Sequence, residues 1–108
     1  MTIMHLPTKN VIVKNRTGED LRDIHLTYES LGKSSLKISH IYNDMQQTKT
    51  LLVRDLFKPT NLILFYYKNN IKEEIVVYNN LIKSDLRTLI LTIRKIDDKL
   101  VVDTTLDV

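Results

Sequence analysis

The apolar positions of this chain fall mostly at every second residue. Ile24, Leu26 and Tyr28 alternate with Asp23, His25, Thr27 and Glu29. That is the pattern of a strand with one face in a core and the other in water. Leu89, Leu91 and Ile93 repeat it against Thr88, Ile90, Thr92 and Arg94. Leu36 and Ile38 open a third alternation, which Ile41 breaks, so a bulge or the strand's end is expected there. Leu21 lies on the opposite parity to Ile24, which predicts a turn or a bulge between them. Asn10 to Lys14 reads as a first strand after a frayed lead, Met1 to Lys9. Lys49 to Arg54 reads as a short strand, and Leu100 to Val108 as the last, with Leu100, Val102, Leu106 and Val108 on one parity.

The stretch Asn61 to Tyr78, NLILFYYKNNIKEEIVVY, organises the rest. Its first half is apolar or aromatic on both parities: Leu62, Leu64 and Tyr66 on one face, Ile63, Phe65 and Tyr67 on the other. Periodicity alone does not separate such a run from a buried helix, but its flanks do. Pro59 precedes it, and Lys68-Asn69-Asn70 follows as a polar turn that tolerates positive φ. Lys72 to Tyr78 returns with Ile75 and Val77 on one face and Val76 and Tyr78 on the other. The reading is a central hairpin. Each large side chain it buries contributes roughly 1.5–3 kcal/mol.

Seven to eight short strands separated by turn signals predict an all-β antiparallel sandwich. Composition supports strands over helices: alanine is absent, and the apolar residues are mostly Leu, Ile and Val with five Tyr. At 108 residues the chain is expected to be a single domain, 1–108, with 1–9 as a flexible lead. The opening pattern VIVKNRTGEDLRDIHLTYE resembles the first two strands of small immunoglobulin-like domains: strand, Asn-rich turn with Gly, strand. The resemblance implies an Ig-like β-sandwich, which by itself implies no single function.

Charge and chemistry narrow the function classes. Residues 1–96 carry 15 basic and 9 acidic groups, and residues 97–108 carry one and four. A mildly basic body with an acidic tail is compatible with an anionic partner and equally with an ordinary soluble surface. The absence of cysteine excludes disulfides, thiolate catalysis and Cys-based zinc sites. No apolar span approaches the length of a membrane helix and no signal peptide is read in the chain as given, so a cytoplasmic location is expected. The three histidines, His5, His25 and His40, form no HxH or HxxxH pair, and Asp97, Asp98 and Asp103 are interrupted by Lys99 and a strand start. Neither set reads as a metal site. No strained Ser turn and no glycine-rich phosphate loop is present, so no enzyme activity and no cofactor are expected. Asn15-Arg16-Thr17 matches a glycosylation sequon, read as chance in a cytoplasmic chain.

Three binding roles are left. The leading one is a small protein-interaction module whose surface is the outward parity of the central hairpin: Ile63, Phe65, Tyr67, Val76 and Tyr78. The module is also compatible with self-association. The alternative is a single-stranded nucleic-acid binder, in which aromatic rings stack on bases and Lys68 and Lys72 contact phosphate. The third is an inhibitor or accessory domain acting on an enzyme.

Overall fold

A computed structural model of the chain describes residues 8–28, 36–52, 59–82 and 84–107. These form eight strands and no helix: β1 (Thr8–Asn15), β2 (Leu21–Tyr28), β3 (Leu36–Ile41), β4 (Gln46–Leu52), β5 (Thr60–Lys68), β6 (Ile71–Leu81), β7 (Thr88–Ile96) and β8 (Lys99–Asp107). Two four-stranded sheets result, in the orders β4-β1-β7-β8 and β3-β2-β5-β6. Among the described residues no helix is long and apolar enough to cross a membrane.

The inward faces are those the alternation marks. Val11 and Val13, Ile24, Leu26 and Tyr28, Leu62 and Leu64, and Leu89, Leu91 and Ile93 join in one buried cluster between the sheets. Leu100, Val102 and Leu106 of β8 pack against it. The expectation of a wholly antiparallel fold is corrected at one place: β1 and β7 run parallel, with Val11 beside Leu89 and Asn15 beside Ile93. Parallel neighbours need a long crossover. Here the intervening chain supplies it, building β2 and β3 of the second sheet, returning for β4 beside β1, and then adding β5 and β6 before β7. In the ABED sheet of immunoglobulin constant-type domains the second strands of two hairpins, B and E, form the central pair. Here the first strands of two hairpins, β2 and β5, hold that place.

Several boundaries move. The frayed lead ends before Thr8: Thr8 and Lys9 open β1, Lys9 pairs with Leu51, and its side chain is fully buried. Met1 to Pro7 lies outside the described residues. The polar stretch Tyr42 to Gln47 reads as a loop, yet Gln46 and Gln47 already pair with Lys14 and Val13. Asn79 to Leu81 continues β6 rather than starting a loop or helical turn. The stretch Asp55 to Pro59 reads in the sequence as the exit from the strand at Lys49 to Arg54, and all of it but Pro59 lies outside the described residues.

The two-residue turns have a local cause. Asn69-Asn70 joins β5 to β6 and Asp97-Asp98 joins β7 to β8, with all four residues at φ between 51° and 65°. Two positive φ values in succession make a type I′ turn, whose twist matches that of the flanking strands. Asn and Asp enter this region at lower cost than other side chains. Asn70→Val is therefore expected to destabilise by about 1–2 kcal/mol, and Asn70→Gly to show no such loss, in urea unfolding. Equal losses from both would mean that the side chain, not the backbone, matters.

Two irregularities position the surfaces discussed below. In β2, Asp23 takes φ 55°. Leu21 and Ile24, three residues apart, are both buried, as are Ile38 and Ile41 opposite them. The β2–β3 register runs unbroken through this point. The parity change expected at Leu21 and Ile41 is thus a shared turn of both strands, not an inserted residue. In β6 the register does slip: Ile63 faces Val76 but Leu62 faces Tyr78, leaving Val77 extra, and a second slip follows before Leu81. The carbonyl of Val77 accepts a hydrogen bond from Thr104 Oγ1 of β8 at 2.5 Å, which ties the edges of the two sheets together.

Candidate functional site

The outward face of the second sheet is built on β5. Its outward residues Ile63, Phe65 and Tyr67 pair with Val76, Glu74 and Lys72 on β6. On the other side Phe65 pairs with His25 and Ile63 with Thr27 on β2. Phe65 is the hub. The His25 ring stacks on it at 4.6 Å with 4° between planes. Lys72 Nζ, from the opposite flanking strand, stands 4.3 Å over the same ring. The ring is thus contacted by a stacked imidazole from one flanking strand and an ammonium from the other. Tyr67 meets it edge-on at 6.2 Å.

Charges surround the rings without concentrating one sign. Lys72 also pairs with Glu74 at 3.2 Å, and Lys37 pairs with Asp23 at 3.3 Å. The His25 pKa is held below its ordinary value, first by burial against Phe65 and then by Lys37, with Asp23 opposing. The ring that stacks on Phe65 is accordingly the neutral imidazole at neutral pH.

The seven residues named from the sequence divide. Ile63, Phe65, Tyr67 and Val76 share the outward face, and the other sheet does not cover it. Tyr67 is 58% exposed and Val76 52%. Tyr78 does not belong with them. The register slip at Val77 turns Tyr78 inward, where it packs against the core. Alternation alone would have kept it beside Val76. Lys72 joins the face as described. Lys68 is turned to the end of the sandwich, where it donates to the Asp98 carboxylate at 2.7 Å and the Asp98 carbonyl at 2.8 Å.

Two groupings of polar residues went unread in the sequence, although Tyr67, Lys68 and Asp98 of the second were named there singly. At the end of the sandwich away from the type I′ turns, the buried Lys9 Nζ donates to the Asp85 carbonyl at 3.0 Å and lies 3.6 Å from its carboxylate. Arg87 grips that carboxylate through Nε at 2.9 Å and a terminal nitrogen at 2.8 Å, and the Tyr78 hydroxyl donates to it at 3.3 Å. Hydrogen bonding by Arg87 holds the Asp85 carboxyl far below the usual range. Burial lowers the Lys9 pKa, and Asp85 opposes the shift. These groups act as a structural tie between β1, β6 and the β6–β7 connection.

The second group lines a cleft at the turn end, between β2 and β5 of one sheet and β7 and β8 of the other. Leu21, Ile24, Tyr66 and Leu100 form its floor, and Arg22, Tyr67, Lys68, Lys95, Glu19 and Asp98 its rim. Among the described residues no three His, Cys, Asp or Glu side chains converge in a way that would hold a metal ion.

No family model, no curated protein and no solved structure matches this chain.

Proposed function

We propose that the chain is a small non-catalytic interaction module whose partner is a protein, bound on the outward face of the second sheet. The observation that carries this reading is the group Ile63, Phe65, Tyr67 and Val76, side by side on a sheet face, with Tyr67 and Val76 more than half exposed. Rigid aromatic residues rimmed by charges of both signs suit a protein partner. A stacking platform for bases needs free ring faces. Phe65 is already stacked on by His25 and contacted by Lys72, and the Lys72 charge is shared with Glu74.

The wider reading goes with it. We take the fold as immunoglobulin-like in its layering rather than its strand order, the location as cytoplasmic, and inhibition of or accessory binding to an enzyme as one form the interaction takes. Self-association through the same face is another.

The test pairs the native chain with a Tyr67→Ala, Val76→Ser variant in pull-downs from native lysate, with and without nuclease. Both positions are exposed, so the variant is expected to stay within about 1 kcal/mol of the native chain in urea unfolding. A stoichiometric protein partner that survives nuclease and is lost with the variant is the expected result. Partners that vanish with nuclease and with added salt would overturn it in favour of nucleic acid, because phosphate contacts are strongly salt-dependent. A partner retained equally by the variant would place the interface elsewhere.

A further inference from the structure

We propose that the cleft at the turn end binds a small carboxylate bearing one apolar group. Three observations meet there, and of the residues that line the cleft Tyr67 also belongs to the outward face of the second sheet.

The first is the shape. The cleft holds about 230 Å³. That is below the range of drug-sized pockets, which start near roughly 300 Å³, and it suits one ring or a short aliphatic chain. Its floor is apolar: Leu21 and Ile24 are buried, and Tyr66 and Leu100 are half-buried parts of the core's margin.

The second is the charge balance of the rim. Lys95 donates to Glu19 at 2.7 Å and lies 3.3 Å from Asp98, and Lys68 holds the other oxygen of Asp98 at 2.7 Å. Both carboxylates of the rim are thereby engaged by lysines, and Asp98 is held below its ordinary pKa by them. Arg22 is the remaining cation. It is exposed, lines the same cleft, and forms no ion pair with any described residue. A guanidinium that forms no direct ion pair and meets the Asp20 carboxylate only through space, beside an apolar floor, is the complement of an anion attached to an apolar group. Its planar fork accepts a carboxylate through two parallel hydrogen bonds.

The third is the backbone. Arg22 has the same parity as Ile24, so an unbroken alternation would aim it into the core. Asp23 at φ 55° turns the strand so that Leu21 takes the inward place and Arg22 comes out at the mouth. The left-handed region is unusual for a non-glycine residue within a strand, though Asp enters it more readily than most. Here that residue sets a cation over an apolar cleft.

The experiment uses the full chain labelled with nitrogen-15. It is titrated with 3-phenylpropionate, with the neutral 3-phenylpropanol, and with a short peptide ending in a free C-terminal Phe. The expected result is saturable shifts of the Leu21–Ile24, Tyr66–Lys68 and Leu100 amides with 3-phenylpropionate, at least tenfold weaker binding of the alcohol, and at least tenfold weaker binding of the acid by Arg22→Gln. Arg22→Lys should restore part of the affinity, since it returns the charge without the fork. Absence of saturable shifts at millimolar 3-phenylpropionate overturns the proposal. So does equal binding of acid and alcohol, which would remove the role of Arg22. Tenfold tighter binding of the peptide than of the acid overturns the small-molecule ligand in favour of the end of a partner chain. Tyr67 lines both surfaces, so the two readings are separated by single variants away from it: Arg22→Gln is expected to lose the acid and keep the pull-down partner, and Val76→Ser to lose the partner and keep the acid.

Discussion

Replacing Asp85 with alanine is expected to destabilise the protein by about 3 kcal/mol, the lower end of what breaking a buried ion pair costs. The loss comes chiefly from the partner left behind. Lys9 is the one described charged side chain that is fully buried, and Asp85 supplies the carboxylate near its ammonium. Without that carboxylate Lys9 keeps only the residue-85 carbonyl and the face of the Tyr78 ring, 5.7 Å away. Urea unfolding of Asp85→Ala, Lys9→Met and the double variant closes a cycle. Lys9→Met removes the buried charge and keeps the volume, so the double variant is expected to be more stable than Asp85→Ala alone. A double variant as unstable as the sum of the single ones would show that the two residues act independently.

The same tie has a pH signature. The folded Asp85 carboxyl titrates far below its ordinary value, mainly because Arg87 donates to it. Its contribution is fully present above the unfolded carboxylate value, about 4, and declines as the pH falls below that. The gap between the native chain and Asp85→Ala should therefore narrow between neutral pH and pH 3. Lys9 has a dependence of the same sign in a different window, below the ordinary lysine value. Its folded pKa lies below its ordinary value because of burial, so the unfolded chain holds the extra proton in the window between the two. Stability attributable to Lys9 thus rises with pH through that window.

The second large effect is expected at Asn15. Asn15→Ala should cost about 2–3 kcal/mol, the penalty for leaving buried polar groups without partners. The Asn15 side chain is fully buried at the end of β1. Its amide donates to the carbonyls of Glu19 at 2.8 Å and Ile41 at 2.9 Å. Its oxygen accepts from the backbone N–H of Thr17 at 3.1 Å and from Thr17 Oγ1 at 2.7 Å. One residue therefore holds the β1–β2 loop shut and fastens it to β3. Asn15→Asp removes both donors and is expected to lose about as much, while Thr17→Ala, which removes one hydroxyl, should lose about 1 kcal/mol. Thermal or urea unfolding ranks the three, and a loss at Thr17 equal to that at Asn15 would shift the anchor to the loop itself. The geometry also disposes of the glycosylation sequon in the folded state. The Asn15 amide that a glycan would modify is buried and already bonded twice.

Much of this fold was legible because its core obeys a period of two. Ile24, Leu26 and Tyr28 and Leu89, Leu91 and Ile93 sit where their alternation puts them, and Asn69-Asn70 announced its turn by residue type. What escaped reading lies where the period fails or where polar atoms go inward. Tyr78 was misassigned to the outward face because a register slip at Val77 leaves no mark in a run of apolar residues. Lys9 read as part of a polar lead because nothing near it in sequence reveals a carboxylate at position 85. Leu21 was marked as irregular and Arg22 was not singled out, and the cleft they shape depends on β7 and β8 arriving opposite them. Strand order escaped for a related reason: hydrophobic pattern specifies which face is buried, while the parallel neighbours β1 and β7 are chosen by the whole chain's path.

That pairing has a consequence for how the molecule assembles. Strand β1 is interior to its sheet, but of its two neighbours β4 is an edge and β7 lies near the other end of the sequence. During synthesis β2, β3, β5 and β6 can complete their own sheet while β1 still has one side bare. Its inward Lys9 and Asn15 differ in timing as well. Asn15 finds its partners within the β1–β2 loop and β3, whereas Lys9 waits for Asp85, 76 residues downstream. Closing so long a loop costs entropy before any contact rewards it. The first described strand of the chain is thus among the last to be secured, and its docking converts a half-built sandwich into a finished one.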